Sequence, residues 1–150
     1  MIPFHLAKGI DPVADAFSGT VASDVIDVQG KALWGLIYKG VGATGTSTIT
    51  VLACSNTTPT TTSAVAFWYR ACTTGDTWGA WTAAAAAGFT TTAGSSQLYQ
   101  IYCASDVIAA TGYHYAEIQA VEVVDSPVLG GILLGVFDPV FLPTNASMID

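Results

Sequence analysis

Charged side chains are scarce in this sequence of 150 residues, and basic ones are the scarcest. Only four residues are Lys or Arg, against eleven that are Asp or Glu, which gives a formal net charge of −7. A nucleic-acid or anionic-lipid surface repels such a chain as a whole. We therefore expect neither nucleic acid nor a membrane among its partners.

Long apolar segments and paired cysteines are also lacking. The most apolar stretch, VLGGILLGVF at 128–137, is about half of the ~20 residues that a membrane-spanning helix needs. The N-terminus has no basic segment followed by an apolar run, so we predict no signal peptide. The cysteines Cys54, Cys72 and Cys103 lie far apart in apolar runs, which predicts buried free thiols in a protein that assembles in a reducing cytoplasm.

A nucleotide-binding loop is excluded by the residues around the most suggestive motif in the chain. GVGATG at 40–45 spells G-x-G-x-x-G, but alternating β-branched residues come after it where a dinucleotide-binding loop requires a helix. No Asp or Glu occurs between Asp27 and Asp76, and Thr46 replaces the lysine of a P-loop. We expect GVGATGTS to be a hairpin connection whose glycines supply positive φ angles.

Catalytic signatures are missing as well. The only histidines are His5 and His114, and the alternation around His114 places it in the core or at an interface. No sequence signature of a nucleophile elbow or of a zinc protease is present. We predict that the chain is not an enzyme and has no catalytic residue, no metal site and no cofactor.

Apolar side chains are abundant, at 51% of the chain, and they fall into short β-type runs. Runs such as STITVLACS and QLYQIYCA, separated by Gly, Ser, Asn and Asp, predict an all-β fold: an antiparallel β-sandwich or jelly-roll-like single domain. In YHYAEIQA the alternation places Ala116, Ile118 and Ala120 on one face, and a bulge is expected near Ala120 where the phase changes. SDVIAATG and TAAAAAG each predict at most a short helical connector.

Residues 1–20 have little periodicity and several prolines and glycines, which predicts an extended N-terminal arm. We predict that residues 21–150 form the β-sandwich domain, with a C-terminal tail from about residue 138. Because the arm carries apolar side chains without a core of its own, we expect it to contact a partner. The residues expected to do so are Ile2, Phe4, Leu6, Ile10 and Phe17.

Aromatic residues are concentrated in FWYRACTTGDTWGAW, at 67–81. The alternation predicts that Trp68 and Arg70 share one face of a strand that is covered on both sides. Trp68, Trp78 and Trp81 are candidates either for contacts between subunits or for stacking on a ligand such as a sugar ring.

Two longer stretches, GKALWGLIYKGVGATGTSTITVLAC and AGFTTTAGSSQLYQIYCASDVIAATGYHYAEIQAVEVVDSPVLGG, resemble small β-rich proteins of tailed bacteriophages. Those proteins are encoded among head genes and regarded as capsid decoration or cement proteins, and the resemblance covers roughly residues 5–135. It implies a sandwich or jelly-roll-like protomer that is assembled in the host cytoplasm and binds the major capsid protein on the outer surface of the virion. It further implies a symmetric homo-oligomer, a trimer, that stabilises the head against the pressure of packed DNA.

Two other functions remain open from the residues alone. A carbohydrate-binding module displayed on a virion would use Trp78 and Trp81. A neck or tail component would differ from a decoration protein only in copy number and symmetry.

Overall fold

A computed structural model describes residues 4–42, 44–72, 77–94 and 96–137, apart from the side chain of Phe4. These residues form twelve strands and one short helix. In chain order the elements are β1 (Phe4–Val13), β2 (Thr20–Ala22), β3 (Ile26–Asp27), β4 (Ala32–Lys39), β5 (Thr46–Cys54), β6 (Thr62–Val65), β7 (Phe67–Cys72), β8 (Thr82–Ala84), β9 (Phe89–Thr90), β10 (Gln97–Cys103), α1 (Ser105–Ala109), β11 (Tyr115–Val124) and β12 (Gly130–Phe137).

The strands form two antiparallel sheets. The larger sheet has the order β1-β12-β4-β10-β7-β8. The smaller sheet has the order β2-β11-β5-β6, with β3 paired to β11 and β9 paired to β5. With the short strands β3 and β9 and the edge strands β7 and β8 set aside, the two sheets have the orders β1-β12-β4-β10 and β2-β11-β5-β6. These are the strand orders of a jelly roll. The predicted antiparallel sandwich or jelly-roll-like single domain is confirmed.

The core lies between the two sheets and follows from alternation along the strands. In β10 every second residue is buried, and Ala116, Ile118 and Ala120 of β11 are fully buried on one face, as predicted. Opposite them, Gly35 of β4 leaves room for Ile118, because a Cβ at this glycine would collide with the Ile118 Cδ1. The largest fully buried apolar side chains of the core are Leu33, Ile37, Ile49, Ile101, Ile108, Ile118, Ile132 and Leu134.

The glycine-rich loop at 40–45 is not the hairpin connection that the sequence predicted. It joins β4 of the larger sheet to β5 of the smaller sheet, so the two flanking strands do not pair with each other. Gly40, Gly42 and Gly45 do not have positive φ angles. Glycine is required there because residues 126–129 of the same chain leave no room for a Cβ atom. A Cβ on Gly40 would lie 2.7 Å from the Leu129 carbonyl oxygen, and one on Gly45 would lie 2.8 Å from that of Ser126.

Three further local predictions are corrected. TAAAAAG forms no helix among the described residues, since Thr82–Ala84 pair with β7 as strand β8. The irregularity of β11 lies between Glu122 and Val124 rather than near Ala120. His114 is exposed and precedes β11, so it is not a core residue.

The segment predicted as an extended arm is extended, but residues 4–13 are an integral edge strand. β1 pairs with β12 from Phe4↔Phe137 to Val13↔Gly130, with irregularities on either side of Ile10. The chain then enters the core at Ala16 and Phe17, which are 3% and 5% exposed. Phe17 packs against Gly130, where a Cβ would be 2.9 Å from the Phe17 Cζ.

Candidate interaction surface on the larger sheet

The side of the larger sheet that points away from the core, here called the outer face, carries apolar side chains in register across all six strands. Successive side chains of a strand point to opposite faces, so the residues between those that supply the core lie on this face. The pairing places the outward residues in three rows. One row contains Ala83, Trp68, Tyr102, Trp34, Gly135 and Leu6; the next contains Arg70, Gln100, Leu36, Leu133 and Lys8; the third contains Cys72, Leu98, Tyr38 and Gly131.

Large apolar side chains on this face remain open to solvent. Leu6 is 52% exposed, Trp68 49%, Tyr38 and Leu133 44% each, and Trp81 40%. Arg70 and Lys8 are the charged residues of the three rows. The Lys8 Nζ is 2.9 Å from a carboxylate oxygen of Asp11 on the same edge strand, so it forms an exposed ion pair at the edge of the face.

Arg70 occupies a cage formed by two tryptophans. Its Cζ lies 4.8 Å from the ring centroid of Trp78 and 4.9 Å from that of Trp81. Its Nε donates a hydrogen bond to the Gln100 Oε1, 2.7 Å away. The guanidinium therefore covers one ring face of each tryptophan and forms a cation–π interaction with both rings within the protomer.

Aromatic contacts continue from this cage across the sheet. The Tyr102 ring meets Trp81 edge-on with centroids 6.5 Å apart, and its centroid lies 5.8 Å from that of the Phe137 ring. Such tilted arrangements suit the ring quadrupoles and restrict the side chains. The outer face thus presents a preorganised aromatic surface.

A pocket of about 200 Å³ opens on the same face beside Gly131. Gly131 contributes no side chain, and the irregular part of β1 near Ile10 forms one wall. Its lining is almost wholly apolar, with the Tyr38 side chain at the rim. The residues around it are Ile10, Pro12, Leu36, Tyr38, Gly131, Ile132 and Leu133.

The structure brings some of the predicted site residues together and separates others. Trp78 and Trp81 flank Arg70, and Trp68 and Leu6 lie in the first row of the same face. Ile10 is half-buried and packs on the core, and Phe17 is buried in it, so Phe17 cannot contact another molecule in the folded chain. Ile2 and the side chain of Phe4 lie outside the described residues.

Sequence reasoning missed the middle of the outer face. Leu36, Tyr38 and Leu133 lie there, whereas the sequence pointed to the N-terminal segment and the tryptophans. The available signal was ALWGLIYK and GGILLGVF, which are apolar at both odd and even positions. A strand of that kind is covered on both faces, and only one face of these two strands is covered within the protomer.

Two buried ionisable groups lie away from the outer face. Lys39 points inward at the end of β4, is 1% exposed, and its Nζ has no hydrogen-bond partner; burial lowers its pKa below the ordinary 10.5. Glu117 is 7% exposed in β11, and burial raises its pKa above the ordinary 4.5. Burial of the side chain accounts for the pKa shift of each residue, so neither shift indicates a reactive pair.

The remaining titratable groups show no assembled reactive centre in the described part of the chain. Among those residues, no group of three or more His, Cys, Asp or Glu is placed to hold a metal ion. The three cysteines are free and buried, and burial raises the pKa of Cys54 and of Cys103 to about 12. A search of the same residues for a helix that could span a bilayer finds none.

No protein-family model matches the chain, and no curated protein matches it. Among solved structures, a chain from the structure of infectious bursal disease virus, Gx strain, is similar over 93% of this chain, with a TM-score of 0.45 and 14% sequence identity. This chain covers 34% of the viral one. A similarity of this size carries no argument about function.

Proposed function

We propose that the chain is a structural protein of a virus particle and, more narrowly, a decoration or cement protein on the head of a tailed bacteriophage. The observation that carries the proposal is the outer face, where Leu6, Tyr38, Trp68 and Leu133 are 44–52% exposed within one contiguous sheet. Monomeric proteins rarely leave a large apolar patch in water. The face is therefore covered by protein in the working state.

The composition of the face suits a contact between proteins. Tryptophan, tyrosine and arginine are the side chains that contribute most to binding energy at interfaces, and the Arg70 cage and its neighbour Tyr102 place all of these types together. Lys8 forms an ion pair with Asp11, and Arg70 lies over the rings of Trp78 and Trp81, so both cations already have contacts within the protomer. A nucleic-acid surface would instead require unpaired basic side chains.

The size of the face favours repeated binding. Strands about 4.8 Å apart and about 20 Å long give six strands an area on the order of 600 Å². A standard interface buries about 800 Å² on each partner, so one face alone supports modest affinity. A symmetric oligomer, a trimer in the proposal, multiplies that contact, and binding to one state of the shell stabilises that state by mass action.

Two further considerations support the narrower proposal. The sequence resembles capsid decoration proteins over most of its length, and jelly rolls are common in viral capsid domains. The likeness to capsid jelly rolls is an analogy between folds, because one fold can serve many functions. The proposed partner is the major capsid protein on the outer surface of the head, together with copies of this chain.

The test is sedimentation of a native lysate through a density gradient, with the protein quantified in each fraction. The proposal predicts co-migration with DNA-filled heads in a fixed ratio to the shell protein, and a trimeric mass for the protein released from them. Protein that remains at the top of the gradient contradicts the proposal. A few copies per particle would instead indicate the neck or tail.

Carbohydrate binding remains the second candidate, because Trp81 is 40% exposed beside the polar Arg70 and Gln100. Sugar rings stack on open aromatic faces, and the guanidinium already covers one face of Trp78 and of Trp81. If this candidate is correct, Trp81→Ala abolishes binding to a glycan array while the oligomer is unchanged. Loss of the oligomer in that variant favours the structural role.

A further inference from the structure

Arg70 is the cation in the middle row of the outer face, and it is half-buried. Its Cζ lies 4.8 Å from the ring centroid of Trp78 and 4.9 Å from that of Trp81, and the bond from its Nε to Gln100 holds the group in place. A planar guanidinium that is fixed in this way loses little side-chain entropy when it binds a ligand. The Arg70 cage is therefore preorganised.

The terminal amino groups of this guanidinium are further hydrogen-bond donors. An arginine side chain has five N–H groups, and the bond to Gln100 uses the one on Nε. In the described part of the chain, no Asp or Glu lies within ion-pair distance of Arg70, and Gln100 is its hydrogen-bond acceptor. Among those residues the charge of Arg70 has no counter-charge.

Docking of a protein on the outer face changes the surroundings of this cation. Water solvates the terminal amino groups while the face is open, and a docked partner removes that water. A buried cation is strongly unfavourable unless a counter-charge and hydrogen-bond acceptors replace the water. A carboxylate supplies both, because its two oxygens match the fork of guanidinium N–H groups.

The distribution of charge on the chain favours the same ligand. The net charge is −7, yet the three rows of the outer face contain Lys8 and Arg70 and no Asp or Glu. Lys8 already forms an ion pair with Asp11 on the edge strand. Arg70 is thus the cation of this face that complements an acidic group of a partner.

We propose that the Arg70 cage binds a carboxylate, and that an Asp or Glu side chain of the shell protein supplies it when that protein covers the outer face. This inference rests on the proposed function, because the shell protein is the partner named there. It adds the chemistry of the contact: one acidic side chain, surrounded by apolar ones, docks on the caged arginine. Such a counter-charge selects a shell surface with an acid at this position.

Phenylacetate and phenylacetamide, added to the full-length protein at pH 7, test the cage without particles. The two probes are alike in shape and differ in charge, so apolar stacking alone binds them equally. Arg70 is the single arginine of the chain, and its Nε–H resonance in a nitrogen-15 spectrum reports binding directly. We expect phenylacetate to bind at least about fivefold more tightly.

Arg70→Lys should remove this preference, because lysine keeps the charge but lacks the planar fork. In that variant the indole N–H resonances of Trp78 and Trp81 report binding instead. Asp76→Asn is the matched control, since Asp76 lies outside the described residues and is the only acidic residue between Asp27 and Asp106. The proposal predicts the same preference in this control as in the wild type.

Two outcomes with the probes overturn the proposal. Equal affinities of the wild type for phenylacetate and phenylacetamide show that the cage does not recognise a carboxylate. A preference that occurs only in Asp76→Asn shows that the chain's own carboxylate occupies the guanidinium.

Binding to particles stripped of the protein tests the source of the carboxylate. Arg70→Lys should bind them at least about fivefold more weakly than the wild type and should keep the mass of the oligomer. Full binding by Arg70→Lys overturns this inference and leaves the proposed function intact. Loss of the oligomer in that variant also overturns it, because the carboxylate then comes from a second copy. If the wild type binds no particles, the proposed function fails together with the assignment to the shell protein, while the probes still show whether the cage recognises carboxylates.

Discussion

The Arg70 Nε donates a hydrogen bond to the Gln100 Oε1, 2.7 Å away, in the middle row of the outer face. The two residues are cross-strand partners on β7 and β10. This bond engages one of the five guanidinium N–H groups and the side-chain carbonyl oxygen of Gln100 within the sheet. A neighbouring subunit therefore meets a face whose middle carries a cation held between two tryptophan rings.

Replacing Arg70 should loosen the cage. Arg70→Met removes two cation–π contacts and a charge-assisted hydrogen bond, so we expect a loss of about 1–3 kcal/mol in the free energy of unfolding. Urea denaturation measures the loss, and the tryptophan emission of the folded variant should shift to the red. Lys31→Met, at an exposed residue, is the control. A change for Arg70→Met within about 0.5 kcal/mol of that control would mean that the cage contributes nothing.

Replacing Lys39 should stabilise the protein. Its buried Nζ has no partner, so Lys39→Met removes an unsatisfied polar group while keeping the length of the side chain. We expect a gain of about 1–3 kcal/mol in the free energy of unfolding at neutral pH. Urea denaturation measures it, and a loss of stability would show that the ammonium has a partner in solution.

The gain from Lys39→Met should depend on pH. Burial lowers the pKa of Lys39 from 10.5, so between the lowered value and 10.5 the unfolded chain binds more protons than the folded one. The contribution of Lys39 to stability therefore rises with pH in that window. The difference in free energy of unfolding between the Met variant and the wild type should shrink from pH 7 to pH 9.5. Because the other titratable groups are the same in both proteins, their contributions cancel in this difference. An advantage that grows with pH would contradict this.

Glu117 and Glu122 lie on the same strand, and replacing each with Gln should change the free energy of unfolding by different amounts. Burial raises the pKa of Glu117 above 4.5, so the folded chain binds more protons between 4.5 and the raised value, and stability falls as pH rises through that window. Glu117→Gln should therefore stabilise the protein by about 1 kcal/mol at pH 7, as measured by urea denaturation. Glu122 accepts a hydrogen bond from the Gly19 N–H at 2.8 Å, which Gln retains, so Glu122→Gln should change little. Equal effects would contradict the assignment.

The cysteines should be inert in the folded protein. Burial raises the pKa of Cys54 and of Cys103 to about 12, and thiolates are the reactive form. A thiol reagent such as dithionitrobenzoate should react with all three cysteines in urea, and with neither Cys54 nor Cys103 without it. Rapid labelling of either in the native protein would indicate local opening.

The fold class was predictable because alternation is a local signal. QLYQIYC and YHYAEIQA read as half-buried strands from their own residues; the first alternates throughout, and the second forms the start of β11 with Glu117 buried against the pattern. Strand pairing is not local: the loop at 40–45 resembles a hairpin turn in sequence, but its flanking strands belong to different sheets. Its glycines are required by the approach of residues 126–129, more than 80 positions away in the chain.

The candidate surface was predicted only in part for the same reason. The tryptophans were identified by composition, but their cage depends on Arg70 and Gln100, which are 30 residues apart. The apolar N-terminal segment suggested a free arm because the sequence does not show that β12 pairs with it. Phe17 looked like a contact residue for the same reason, and the space it fills is created by the distant Gly130.

The most direct test of the central claim is binding of the purified full-length protein to particles stripped of it, with the outer face altered. Trp68→Glu and Leu133→Glu each place a charge on the outer face, and Val123→Glu places one at an apolar residue that is 57% exposed on the smaller sheet. With folding verified by circular dichroism, the first two variants should lose at least roughly tenfold in affinity, because an unpaired charge buried in an interface costs more than about 1.4 kcal/mol. Val123→Glu should bind as the wild type does. Full binding by both outer-face variants would contradict the claim that this face is the contact.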